Sequence, residues 1–109
     1  MSNSAFPNAQ NLRAGAIPVY AAGALAKNIT TSVGTLVKTG AGTFEGVTVN
    51  TAQAGASVTV YDGINNTGTK LATISAAAQT SLAFNIALAT GLYVVTAGAT
   101  PADVTIQYV

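Results

Sequence analysis

Leu82-Ala83-Phe84-Asn85-Ile86-Ala87-Leu88, then the turn Thr90-Gly91, then Leu92-Tyr93-Val94-Val95-Thr96-Ala97 decide the fold of this chain. In the first run Leu82, Phe84, Ile86 and Leu88 recur at every second position, opposite Ala83, Asn85 and Ala87. A period of two sends alternate side chains to opposite faces of a strand, whereas a helix would bring apolar residues back at i+3 and i+4. In the second run Leu92, Val94 and Thr96 alternate with Tyr93, Val95 and Ala97.

The same rhythm continues in both directions. Gly98 to Ala102, with Pro101, makes a turn, and Val104, Ile106 and Tyr108 then alternate with Thr105, Gln107 and Val109. Upstream, Val33, Thr35 and Val37 alternate with Gly34, Leu36 and Lys38 before the turn Thr39-Gly40-Ala41-Gly42. Val47 and Val49 form one face, with Phe44, Gly46 and Thr48 on the other. Val58 and Val60 alternate with Ser57, Thr59 and Tyr61, and Lys70 to Ile74 makes a further short strand. About seven strands separated by turn signals predict an all-β chain folded as a single antiparallel β-sandwich. Its connections are either jelly-roll or immunoglobulin-like, because pairing order is not written in periodicity.

Leu92 to Val95 and Val104 to Val109 carry apolar residues on both faces. One face fills the core, and the other needs a cover. Tyr93, Val95 and Tyr108 are therefore the expected contacts between copies of the chain. The competing cover is the N-terminal segment.

Residues 1–28 hold no sustained period and are expected to form an extended N-terminal arm ahead of a sandwich domain at 29–109. Phe6, Leu12, Ile17, Val19, Tyr20 and Leu25 are scattered among Ala, Asn, Gly and Pro. Pro7 and Pro18 push the residues before them toward extended backbone. A short helix near Ala21 to Lys27 is the local alternative, weakened by Gly23. The six large apolar residues are the expected partner-binding anchors, with Arg13 as a polar contact.

Composition narrows the chemistry. Only 6% of the 109 residues are charged, with four basic and three acidic, against roughly 25% in an ordinary domain. There is no His, Cys or Trp. That excludes a Ser-His-Asp triad, a cysteine nucleophile, imidazole or thiolate metal sites and disulfides. The expectation is no enzyme, no cofactor and no metal. A net charge of +1 offers no field for nucleic acid. The longest apolar stretch, Ala14 to Ala26, is shorter than the roughly 20 residues of a membrane span and contains Pro18. The opening Met1-Ser2-Asn3-Ser4 lacks the basic start of a secretory signal, so synthesis in a cytoplasm is expected. A surface so poor in charge associates readily.

The remaining motifs read as structure. Gly40, Gly42 and Gly46 have the wrong spacing for a dinucleotide loop, and no helix follows. Asp62-Gly63-Ile64-Asn65-Asn66 puts Ile64 where a calcium loop needs oxygen, so it is expected to be a loop tip. Glu45 and Asp62 are expected as surface charges rather than a hydrolytic pair. Tyr61 and Tyr93 are the only reasonable aromatic platforms for a saccharide.

Val37-Lys38-Thr39-Gly40-Ala41-Gly42-Thr43, Gly46-Val47-Thr48-Val49-Asn50-Thr51, Val58-Thr59-Val60-Tyr61-Asp62, Gly68-Thr69-Lys70-Leu71-Ala72-Thr73-Ile74 and the run Thr90 to Ile106 together resemble small virion proteins of tailed bacteriophages. The resemblance covers about two thirds of the chain and leaves out residues 1–28. It implies a capsid decoration (cement) or head-fibre-associated β-sandwich protein. As a decoration protein it would be a homotrimer on the capsid surface, made in the bacterial host cytoplasm. Its partners would be the major capsid protein or other virion proteins, with neither nucleic acid nor membrane. The alternative is a fibre- or tail-associated module that binds a host-surface glycan through Tyr61 and the Asp62 to Gly68 loop.

Overall fold

The computed structural model describes residues 24–109. They form eight strands: β1 (Leu25–Ile29), β2 (Gly34–Thr39), β3 (Gly42–Thr51), β4 (Ser57–Asp62), β5 (Thr69–Ser75), β6 (Thr80–Leu88), β7 (Gly91–Ala97) and β8 (Asp103–Tyr108). All pairings are antiparallel, and they build two four-stranded sheets, β1-β8-β3-β6 and β2-β7-β4-β5. Among the described residues no helix is long and apolar enough to cross a membrane.

The strand order decides between the two topologies left open by periodicity. β1 pairs with β8, β2 with β7, β3 with β6 and β4 with β5, as in one long hairpin whose tip is the β4–β5 loop. Rolling that hairpin up adds the pairs β3–β8 and β4–β7 and splits it into two facing sheets. This is a jelly roll. The turns β2–β3, β4–β5 and β6–β7 gather at one end, together with the start of β1 and the end of β8. The links β1–β2, β3–β4, β5–β6 and β7–β8 gather at the other. There Gln53 N–H donates to Ala76 O at 3.0 Å, and Ala76 N–H donates to Ala56 O at 2.9 Å.

The core lies between the sheets. Val47, Val49, Val104 and Ile106 from one sheet meet Val58, Val60, Leu92 and Val94 from the other, all fully buried. Burial of side chains this size drives the two sheets together at about 1.5–3 kcal/mol each. Thr96 is the buried polar exception. Its hydroxyl donates toward Thr31 O and accepts the Val33 N–H at 3.1 Å, so the β1–β2 link is fixed through it.

Two expectations need correction. Strict alternation puts Phe44 on the face opposite Val47 and Val49, yet it is wholly buried with them. The register of β3 against β8 shifts between Phe44 and Gly46, and this bulge at Glu45 inverts the alternation. Phe44 then stacks on Phe84, with ring centroids 4.9 Å apart. The second correction concerns Leu25 to Asn28, expected in the arm or in a short helix. They form β1 with Ile29, in register with β8 from Leu25↔Tyr108 to Ile29↔Val104. The sandwich therefore starts at Leu25 and has one more strand than expected. Ladder bonds to β8 outweigh the weak helical preference of Leu, Ala and Lys here. Only Ile29 of this strand is buried, so its apolar pattern is faint.

Candidate functional site: the outer face of the β2-β7-β4-β5 sheet

In this sheet the inward residues of β4 and β7 are Val58, Val60, Leu92, Val94 and Thr96, all buried. Alternation sends Tyr93, Val95, Thr59 and Tyr61 outward. Leu36 pairs with Tyr93, Tyr93 with Tyr61, and Tyr61 with Lys70. The outer face therefore carries one continuous row, Leu36–Tyr93–Tyr61–Lys70, across all four strands. The next row is Gly34–Val95–Thr59–Thr73. Leu36 is 46% exposed, while Tyr93, Val95 and Tyr61 are half-buried by their neighbours.

Gly34 is part of this arrangement. A Cβ on Gly34 would overlap the Tyr93 hydroxyl, so the Tyr93 ring leans across β2 into the space that glycine leaves. The result is a broad, low, apolar surface with a hydroxyl at one edge and the Lys70 ammonium on the far strand. An exposed sheet face of this kind fits a flat apolar or amphipathic partner.

The row lies at the end of the sandwich where Asp62 acts. Its carboxylate accepts N–H donors from Ala89 at 3.0 Å, Thr90 at 2.9 Å and Gly91 at 3.3 Å. The Ala89 and Thr90 amides, followed by Gly91, hold the Asp62 carboxyl below its ordinary range. Asp62 thus clamps the β6–β7 turn to the β4–β5 loop, and Gly63 N–H adds a bond to Gly91 O at 3.2 Å. Within the loop, Asn65 Oδ1 accepts the Thr67 N–H at 2.9 Å. The loop tip satisfies itself, as expected of a turn. Glu45 lies in β3, on the other sheet.

The outer face of the β1-β8-β3-β6 sheet is different. Asn28 Nδ2 donates to Asp103 Oδ1 at 2.6 Å and to Val104 O at 3.0 Å. Asn50 Nδ2 donates to Thr105 Oγ1 at 2.8 Å, and Gln107 Nε2 to Thr48 Oγ1 at 3.1 Å. These side chains spend their donors on one another and fasten β1, β8 and β3 together. Reading residues 1–28 as an arm hides Asn28, which pairs with Thr105 in β8. Its signal is the outward polar alternation it shares with Thr105.

Of the expected partner-binding residues, Phe6, Leu12, Arg13, Ile17, Val19 and Tyr20 lie outside the described residues. Leu25 opens β1 and is 55% exposed. Of the expected contacts between copies, Tyr93 and Val95 share the outer face just described. Tyr108 does not join them: it follows Val104 and Ile106 on the inward side of β8 and packs against the core. Among the described residues no group of three or more His, Cys, Asp or Glu is gathered. No protein-family model, no curated protein and no solved structure matches this chain.

Proposed function

We propose that this chain is a structural virion protein of a tailed bacteriophage, a decoration (cement) protein that binds and stabilises the head shell. The observation that carries this is the apolar outer face built by Leu36, Tyr93, Val95 and Tyr61 on a jelly-roll frame that has few charges to keep it apart from neighbours. Jelly rolls recur in capsid and lectin domains, which supports the proposal by analogy of fold alone. Binding in many copies would let each contact be weak. Particles made without the protein should lose DNA at lower temperature than complete ones, and adding the purified protein back should restore them. Identical melting of the two particle types would refute a cementing role.

One observation favours a second function. Tyr61 and Tyr93 are neighbours across β4 and β7, with Thr59 in the adjacent row and Lys70 beyond. Paired aromatics beside hydroxyls suit a saccharide. A glycan array separates the two: specific binding abolished by Tyr61→Ala supports a host-surface module, and no binding to any glycan supports the structural role.

A further inference from the structure

The two sheets have four edge strands, β1 and β6 in one, β2 and β5 in the other. An edge strand presents unpaired N–H and C=O groups, and a lysine on it opposes pairing with another chain. The chain has three lysines, and each stands exposed on an edge: Lys27 on β1, Lys38 on β2 and Lys70 on β5. β6 is the fourth edge and the longest, nine residues against five to seven. Its run Thr80-Ser81-Leu82-Ala83-Phe84-Asn85-Ile86-Ala87-Leu88 contains no charge and no proline. Among the described residues β6 pairs with β3 alone.

The register of β6 on β3 shifts opposite Glu45, and a bulge can also guard an edge. Here the alternation of β6 survives it. Phe84 and Ile86 are half-buried and Leu88 is buried, with Ala83, Asn85 and Ala87 exposed between them. Leu82 pairs with the wholly buried Val47 and so shares its inward face, yet it is 38% exposed. The core is therefore left open at this edge, where Leu82, Phe84 and Ile86 form an apolar row.

We propose that β6 pairs with β6 of a second copy of this chain, antiparallel about a twofold axis at Phe84. The register is self-complementary. Phe84 meets its own counterpart, Leu82 stands opposite Ile86 and Ala83 opposite Asn85, so inward apolar residues meet apolar ones. Two four-stranded sheets then join into one of eight. A second copy fits better than an unrelated strand, because each inward side chain of β6 finds its match in β6 itself. No like charges meet along the seam. Glu45 of each copy lies on β3, so the two are three strand spacings apart, ~14 Å, beyond the ~8 Å screening length of physiological salt. On β5, the other edge of that side, Lys70 lies toward one end, and the axis sends the two copies' lysines to opposite ends. A twofold interface closes at two copies, in place of the homotrimer that the resemblance implies. It leaves the Leu36–Tyr93–Tyr61 row open, so the pairing goes beyond the virion reading and stands or fails apart from it.

Sedimentation equilibrium of the full-length chain over a wide concentration range tests the pairing. The mass should rise from one chain to two. Ala83→Lys combined with Asn85→Lys sets two pairs of lysines opposite each other and should weaken the dimer at least about tenfold. Ala24→Lys with Ala26→Lys adds the same charge at the β1 edge and should leave the dimer unchanged. Amide hydrogen exchange of the unaltered chain gives a reading that needs no variant to fold. Exchange in β6 should slow as concentration rises, while exchange in β1 stays the same. A chain that is monomeric at every concentration or trimeric would overturn the pairing. So would a dimer that survives the β6 lysines or is weakened equally by both variants, and so would β6 exchange that ignores concentration.

Discussion

Replacing Asp62 with alanine removes one carboxylate that receives three backbone N–H groups, from Ala89, Thr90 and Gly91. Bonds to an ionised acceptor contribute about 1.5–3 kcal/mol each when shielded. This carboxylate is largely solvated, so water replaces much of what is lost. The closest physical parallel is loss of a helix N-cap, and the expected cost of Asp62→Ala is about 1–2 kcal/mol. For a domain this size that is a fall in Tm of roughly 5–15 °C. Asp62→Asn keeps one acceptor oxygen and should cost less. The sign of the pH effect follows from the lowered carboxyl pKa of the folded state. The stabilisation is fully present above the unfolded value of ~3.9 and disappears as pH falls through the lower folded value. Urea unfolding followed by circular dichroism should show wild type above Asp62→Asn at pH 7, with the gap closing in acid. A gap that is the same at pH 7 and in strong acid would refute the clamp. So would an Asp62→Ala variant as stable as wild type.

Phe44→Ala should lose about 3–5 kcal/mol in the same assay, because Phe44 is wholly buried and stacked on Phe84. Thr96→Val, nearly isosteric, should cost about 1–3 kcal/mol by leaving the Val33 N–H and Thr31 O without their hydroxyl partner, with faster amide exchange at Val33. Gly55→Ala should cost about 1–2 kcal/mol of backbone strain, since Gly55 has φ +76° and open space around it. Gly34→Ala should displace the Tyr93 ring while changing stability little, because the obstacle is the far end of a mobile side chain; the Tyr93 ring resonances in an NMR spectrum report it.

The sandwich was legible because β4, β6, β7 and β8 alternate cleanly and because Gly, Asn and Pro punctuate them. β1 was not. It owes its strand conformation to β8, which lies at the far end of the chain, and it buries only Ile29. The inward turn of Phe44 was hidden because a bulge at Glu45 is a property of two strands in register, not of one sequence. Jelly-roll order was unreadable for the same reason. Tyr61 and Tyr93 were each visible as outward aromatics, but their pairing depends on the β4–β7 register. Asp62 looked like a surface charge in a loop. Its partners lie 27 to 29 residues away, and only the folded turn brings their N–H groups to it.

The most direct test is quantitative mass spectrometry of gradient-purified particles produced by the genome that encodes this chain. A decoration protein should be present in many copies per particle, at a fixed ratio to the major capsid protein. Its absence from intact, purified particles would contradict the account.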